Sequence, residues 1–457
     1  MVNRRGFMKS AAAAGGLMLL PSWSAGRQVG PNSKLNIALV GVGGIGGMAI
    51  GQLLPCKQAN IVALCDVDDA RAAKNYKAFP ASMPRFRDYR VMLDKMDKQI
   101  DAVVVSTPDH MHYPIAAWAI AKGKHVFCQK PLTRTIWEAE ELKRLAKEAG
   151  VITQMGNQGH TNEGWRLIKE WYDAGILGQI EEIHIWTNRP VWPQGDLKMP
   201  AGQPVPPTLD YNLWLGVAPY QPYNKAFVPF NWRGLRNYGT GAAGDMACHF
   251  LDVPYSAFDL GFPMSVKGNS TPFNDYSWPS QASSVMTFVN PRGVDNRIRL
   301  HWYDGGRKPK AIKRVDKAFL DDPRNNNATF IVGTKETVYT NEYGVGSRIW
   351  PASRMKDLAK SGALPKKTIP RSVAPNNPHK EWAICCLEGR QSVGNFDYAA
   401  PFTEMALLGM VALCEPNIPL VYDPKTMSFL NYPKADKYIK SLYAYRSEFL
   451  PSRIRLF

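Results

Sequence analysis

The stretch "LNIALVGVGGIGG", residues 35–47, decides the fold. A largely apolar, strand-forming run leads into Gly41, Gly43 and Gly46, spaced G-x-G-x-x-G, and a helical pattern follows. Each glycine serves a different physical purpose. The first permits a tight turn, the second lets backbone approach a pyrophosphate, and the third lets helix and strand pack closely. Gly44 and Ile45 complete the loop. Asp66 stands twenty positions beyond Gly46, ending the next apolar run, "ANIVALCD", where a carboxylate accepts hydrogen bonds from a ribose hydroxyl. A carboxylate there repels a 2′-phosphate, so the pattern predicts NAD rather than NADP.

Outward from this stretch, buried strand runs alternate with helical segments up to Gly156: "DAVVVSTP", "KHVFCQKP" and "VITQMG" follow in turn, with helical patterns such as "TIWEAEELKRLAKEAG" between them. Such βαβ alternation predicts a doubly wound parallel sheet with helices on both faces, over residues 33–156. Beyond it the rhythm changes. A helical "EGWRLIKEWYDAG" precedes longer alternating strands, "IEEIHIWTNRP", "SSVMTFVN", "RIRLHWYD" and "ATFIVGTKETVYT". Residues 157–457 therefore read as an α+β domain with a large, open, mostly antiparallel sheet covered on one face. Loops are expected at 199–211 and 323–328, helices at 378–389 and 401–415, and the aromatic tail is expected to pack back onto the body.

The amino terminus carries Arg4-Arg5, Phe7 and Lys9, then an apolar run from Ala11 to Leu20 that is too short to span a bilayer. This order reads as a twin-arginine export signal within residues 1–32, cut near Ser24, and predicts a periplasmic or secreted protein. With 457 residues, 45% of them apolar, the chain can bury a large core. Its net charge of +17 is scattered, without a basic amphipathic helix or a nucleic-acid-binding motif, so neither nucleic acid nor a membrane span is expected as a partner. Seven cysteines without a C-x-x-C pair indicate neither a disulfide scaffold nor a zinc site, and no metal is expected. Cys65 and Cys128 lie in apolar runs, as small buried thiols do.

Several residues converge on the carboxyl edge of the first sheet, where open α/β sheets bind ligands. Thr107, Pro108 and His112, in "STPDHMH", are expected cofactor contacts, although packing serves His112 equally well. Gln129 and Lys130 end the next strand, and a lysine there can stabilise developing alkoxide charge. "GDMACHFLD" places Asp245 and His249 four apart, on one face of a helix. An imidazole beside a carboxylate suits proton removal from an alcohol, while a capping aspartate and a core histidine fit the same spacing. Asn157, Gln158 and His160, in "MGNQGH", are candidate cofactor or sugar contacts. Trp192, Trp232 and Arg233 are candidate substrate contacts, since indole faces stack on pyranose rings.

Taken in order, "GVGGIG", "STPDHMH", "GKHVFCQKPL" and the D-x-x-x-H of "GDMACHFLD" resemble the glucose-fructose oxidoreductase / inositol dehydrogenase / rhizopine catabolism (Gfo/Idh/MocA) superfamily, especially its exported bacterial members. The resemblance implies a Rossmann domain followed by an α/β domain whose open sheet mediates homo-oligomers. It matches Lys130, Asp245 and His249 to the family's catalytic Lys, Asp and His, with His249 the proton acceptor. The family usually has Glu before the lysine; here it is Gln129. The expected function is an exported NAD-dependent oxidoreductase acting on a hydroxyl of a sugar or glycoside, its cofactor tightly bound and recycled internally. The alternatives are an NAD-dependent glycoside hydrolase working by oxidation, elimination, addition and reduction, and a non-catalytic sugar-binding or sensory protein.

Overall fold

The computed structural model describes residues 34–290, 292 and 297–452. The export signal expected at the amino terminus lies outside them. Six strands, β1 (Leu35–Val40), β2 (Ala59–Cys65), β3 (Arg85–Phe86), β4 (Ala102–Val105), β5 (His125–Cys128) and β6 (Thr153–Met155), form one sheet in the order β3-β2-β1-β4-β5-β6. All neighbours are parallel. The order reverses direction beside β1, which opens a crevice at the carboxyl ends of β1 and β4. Both faces are covered, which is why β4 and β5 read as unbroken buried runs rather than alternating ones. Cys65 and Cys128 sit buried at the ends of β2 and β5, as the sequence suggested.

Helix Ile136–Ala149 follows β5 and begins with a capping box, in which Thr135 and Glu138 satisfy each other's backbone N–H groups. It ends at Gly150, whose φ of 63° is the left-handed conformation a helix terminus needs. The chain then builds a second sheet from β7 (Ile180–Trp186), β8 (Ser265–Ser270), β9 (Ala282–Val289), β10 (Arg297–Tyr303), β11 (Ala328–Gly333), β12 (Thr337–Thr340) and β13 (Arg348–Trp350), in the order β13-β12-β11-β7-β10-β9-β8. Only β7 and β10 pair in parallel; the remaining pairs are antiparallel.

One face of this sheet, with Ile183, Ile185, Met286, Phe288, Leu300 and Trp302, lies against the buried helices Gly241–Phe250 and Phe396–Cys414. Helix Phe396–Cys414 also packs on helix Ile136–Ala149, so the two sheets share one continuous apolar core. The other face carries Glu182, His184, His301, Phe330 and Tyr339, in register with the alternation of the strands. No helix among the described residues is long and apolar enough to cross a membrane.

The first domain is not contiguous in sequence. Helix Pro378–Glu388 returns to cover the sheet face lined by Leu35, Ile37, Leu39 and Phe127, and Trp382 inserts there fully buried. His379 stacks on Phe127 with ring centroids 3.9 Å apart. A boundary at residue 156 therefore leaves out the helix that completes the first domain's core. The aromatic tail does fold back: the Tyr89 hydroxyl donates to the Phe449 carbonyl at 2.6 Å.

Candidate active site

A cleft of about 570 Å³ opens at the crevice beside β1 and runs between the two domains. The glycine loop forms one end. Gly41 has φ 81°, and a Cβ there would lie 2.6 Å from the Ser106 carbonyl oxygen; a Cβ on Gly46 would lie 2.0 Å from the Gly41 oxygen. Both positions exclude any side chain, and glycine backbone faces the cleft at Gly41, Gly43 and Gly44, with Ile45 beside it. Asp66 lines the same end and also shapes it. Its Oδ2 accepts from the Val42 and Gly43 N–H groups, each at 2.9 Å, and its Oδ1 from Asp68 at 3.0 Å. Burial pushes the Asp66 carboxyl above its ordinary pKa, while these three N–H donors pull the other way.

The middle of the cleft floor is built by the ends of β4 and β5. Thr107, Pro108, Gln129 and Lys130 all line it. The Ser106 Oγ, Thr107 Oγ1 and Gln129 Nε2 atoms are buried without a partner among the described residues. Orphaned polar atoms beside a glycine-rich loop suit a polar ligand laid along the floor, and a dinucleotide fits this cradle. His112 borders the cleft but its ring nitrogens face backbone, the Pro131 oxygen at 2.8 Å and the Thr107 oxygen at 2.9 Å. Burial lowers its pKa to about 4, so the neutral ring has one N–H to donate. One N–H reaches only one of the two carbonyls, and since both nitrogens point at backbone, the ring borders the cleft without aiming either of them into it.

Opposite the floor, helix Gly241–Phe250 presents Asp245 and His249 to the cleft. Lys130 crosses the gap: its Nζ donates to Asp245 Oδ1 at 2.8 Å and to the Asp245 carbonyl at 2.9 Å. Burial pushes the Asp245 carboxyl up, but Lys130 and then Arg233, whose Nε lies 3.5 Å away, outweigh it and hold the pKa at about 2. Asp245 is neither an N-cap nor a hydrogen-bond partner of His249. Burial, reinforced by Lys130, lowers the His249 pKa to about 3, and its Nδ1 is buried without a partner among the described residues. A neutral imidazole, an ammonium and a carboxylate thus meet at one place, with the carboxylate committed to the lysine.

Trp192, Trp232, Arg233 and Gln158 also line the cleft. The Arg233 guanidinium lies 4.4 Å from the Trp232 ring centroid and 4.6 Å from that of Phe230, so it already occupies an aromatic face. Two expected contacts lie elsewhere. Asn157 donates to the Cys248 carbonyl at 2.8 Å and ties β6 to helix Gly241–Phe250. His160 is buried with Nδ1 2.9 Å from Asp252 Oδ1, and Tyr398 donates to that same oxygen at 2.6 Å. Neither borders the cleft; the "MGNQGH" segment turns inward after β6 and sends only Gln158 to the surface of the site.

Sequence reasoning missed Asp109, Arg189 and Tyr343. Asp109 sits inside the "STPDHMH" motif, which was its only signal. Its Oδ2 accepts from Thr240 N and Oγ1, at 3.2 and 2.9 Å. Burial, then Asp245, raises its pKa to about 7, against the pull of Lys130. Arg189 and Tyr343 arrive on loops after β7 and β12, and the Tyr343 ring lies 5.2 Å from that of His249. No local pattern marked either.

Residues 35–157 match the oxidoreductase family with an NAD-binding Rossmann fold, and residues 168–274 match the oxidoreductase family C-terminal alpha/beta domain. The chain is 28% identical over 173 residues to a scyllo-inositol 2-dehydrogenase (NADP(+)), IolW, of Bacillus subtilis, which is 38% of each chain. It spans about half or less of the length of such curated relatives. An aldose-aldose oxidoreductase from Caulobacter crescentus, solved with glycerol, superposes with a TM-score of 0.57 at 15% identity, over 85% of this chain and 99% of that one. A levoglucosan dehydrogenase solved with NADH and levoglucosan superposes at 0.56 with 17% identity, over 85% and 99%. With the two family domains matched in order and the parallel and mixed sheets arranged as in these structures, the chain belongs to the Gfo/Idh/MocA oxidoreductase superfamily.

Proposed function

We propose that this chain is an exported oxidoreductase that uses NAD to act on a hydroxyl of a sugar or glycoside and keeps the cofactor bound through its cycle. One observation carries the chemistry: the Lys130–Asp245 bridge spans the cleft beside a neutral His249, in line with the glycine loop. The residues that would hold the dinucleotide are the 41–46 loop, Asp66, Thr107 and Gln129. When bound, a nicotinamide supplies reversible hydride acceptance at the reacting carbon.

The chain's own residues handle the oxygen and its proton. The Lys130 ammonium donates to the substrate oxygen and stabilises the charge that grows as its proton leaves. His249, neutral and with an unpartnered nitrogen, accepts that proton. Asp245 aims the ammonium through two hydrogen bonds, and Arg233 supports Asp245. The choice of NAD rests on the buried Asp66 carboxylate at the ribose end of the cleft. Retention rests on the export pattern at Arg4-Arg5, since free NAD is scarce outside the cytoplasm.

The test is to dialyse the purified protein exhaustively, identify any bound dinucleotide by mass spectrometry, and incubate the protein with glycosides with and without added NAD. A ketosugar formed beside a reduced partner, without added cofactor, is expected. Aglycone release without net cofactor reduction selects the redox-assisted glycosidase. Turnover strictly dependent on added NAD, with free NADH accumulating, refutes the closed cycle.

A further inference from the structure

The outer face of the second sheet carries a second cluster of chemistry-bearing side chains, none of which lines the cleft. His184 on β7 and His301 on β10 are direct partners in the parallel pairing, and their rings stack with centroids 4.8 Å apart and an interplanar angle of 10°. Glu182, two residues before His184 and so on the same face, places its Oε2 3.0 Å from His184 Nε2. One donor atom from each of the three lies within 4.8 Å of the others. His184 is 5% exposed, and its Nδ1 and the His301 Nε2 are buried without partners among the described residues.

We propose that Glu182, His184 and His301 form a binding site for a borderline divalent cation, zinc or a close chemical relative, bridging the central strands β7 and β10. Two imidazole nitrogens and a carboxylate oxygen are a donor set that suits zinc, nickel or cobalt, whereas magnesium and calcium take oxygen ligands.

Tetrahedral zinc, with bonds of about 2.0–2.2 Å, wants its ligand atoms roughly 3.5 Å apart. Glu182 Oε2 already lies 3.0 Å from His184 Nε2, so the distance left to close is the one to His301, whose part-exposed ring has to turn out of the parallel stack to aim a nitrogen at the ion. Arg299 opposes the ion: its Nη2 holds Glu182 Oε1 at 2.7 Å, yet it is 54% exposed and free to swing away. Removing its charge should tighten binding.

The test uses the full chain without a polyhistidine tag, stripped with a chelator and titrated with zinc chloride by calorimetry, with stoichiometry read by native mass spectrometry. One zinc per chain is expected, with a dissociation constant on the order of a micromolar or lower. His301→Ala should weaken binding by more than about a hundredfold, and Arg299→Gln should strengthen it several-fold. Cooperative melting of each variant is followed in parallel. Should His301→Ala fail to fold, Glu182→Gln, at a part-exposed position, replaces it. Zinc-edge X-ray absorption of the wild-type protein should show two imidazoles and oxygen. Absence of binding at micromolar zinc, unchanged binding in the ligand variants, or sulfur in the coordination shell would each overturn the site.

Discussion

Replacing Lys130 with Met removes the cation that crosses the cleft and leaves Asp245 as a buried carboxylate. Breaking such a pair by deleting one partner typically costs about 3–5 kcal/mol, because the remaining charge is uncompensated. Here Arg233 Nε stays 3.5 Å away and the pair borders a cleft, so the lower end applies, about 3 kcal/mol. Burial is the largest influence on Asp245, and it raises the pKa; without Lys130, the strongest opposing charge, the carboxyl climbs from about 2. In the wild type, this depressed pKa contributes stability that is present above the unfolded value near 3.8 and is lost as pH falls through about 2. The single variant should lose that contribution at neutral pH, and Asp245→Asn added to it should recover roughly 1–2 kcal/mol by discharging the orphan. Urea unfolding of all four proteins in the cycle measures this. On the chemical side, loss of one preorganised donor to the developing oxyanion should slow single-turnover oxidation about 10²–10³-fold, or roughly 2.7–4 kcal/mol, with dinucleotide affinity little changed. A Lys130→Met protein as stable as wild type, or a double variant no better than the single, would refute the ion-pair argument. Turnover within tenfold of wild type would remove Lys130 from the chemistry.

Three further outcomes follow from other parts of the molecule. Asp66→Ser should weaken NAD binding and shift preference toward NADP, because Arg71 already stands against Gly43 and Gly44 at that end of the cleft; dinucleotide titration checks it, and unchanged preference refutes it. Asp109, its pKa raised to about 7, contributes stability that is fully present below pH 4 and lost as pH rises through 7, so Asp109→Asn should flatten the stability profile between those values in urea unfolding. Trp382→Ala should cost about 3–5 kcal/mol and loosen the first domain, read as a fall in melting temperature, because the indole is wholly buried against a face built from a distant part of the chain.

The parallel sheet, the glycine loop, Asp66 and the strand-end Lys130 were legible in the sequence because each leaves a local pattern of residue types. A strand buried on both faces must be apolar throughout. A turn where a Cβ would lie 2.6 Å from the Ser106 carbonyl oxygen must be glycine. A βαβ crossover delivers every parallel strand's carboxyl end to one edge. The alternating strands of the second domain were visible for the same reason, a period of two imposed by one covered face.

Pairings between distant segments carry no such period. Nothing in "GDMACHFLD" says that Asp245 will answer Lys130 rather than His249, and nothing in "MGNQGH" says that His160 will turn inward to Asp252. Arg189 and Tyr343 reach the cleft on loops whose composition is ordinary, and nothing within helix Pro378–Glu388 says which sheet face it will cover. His184 and His301 become neighbours only because β7 and β10 lie side by side in register. Local sequence sets which faces must be buried; the closing of one domain on the other decides which side chains, buried together, supply one another's charges and hydrogen bonds.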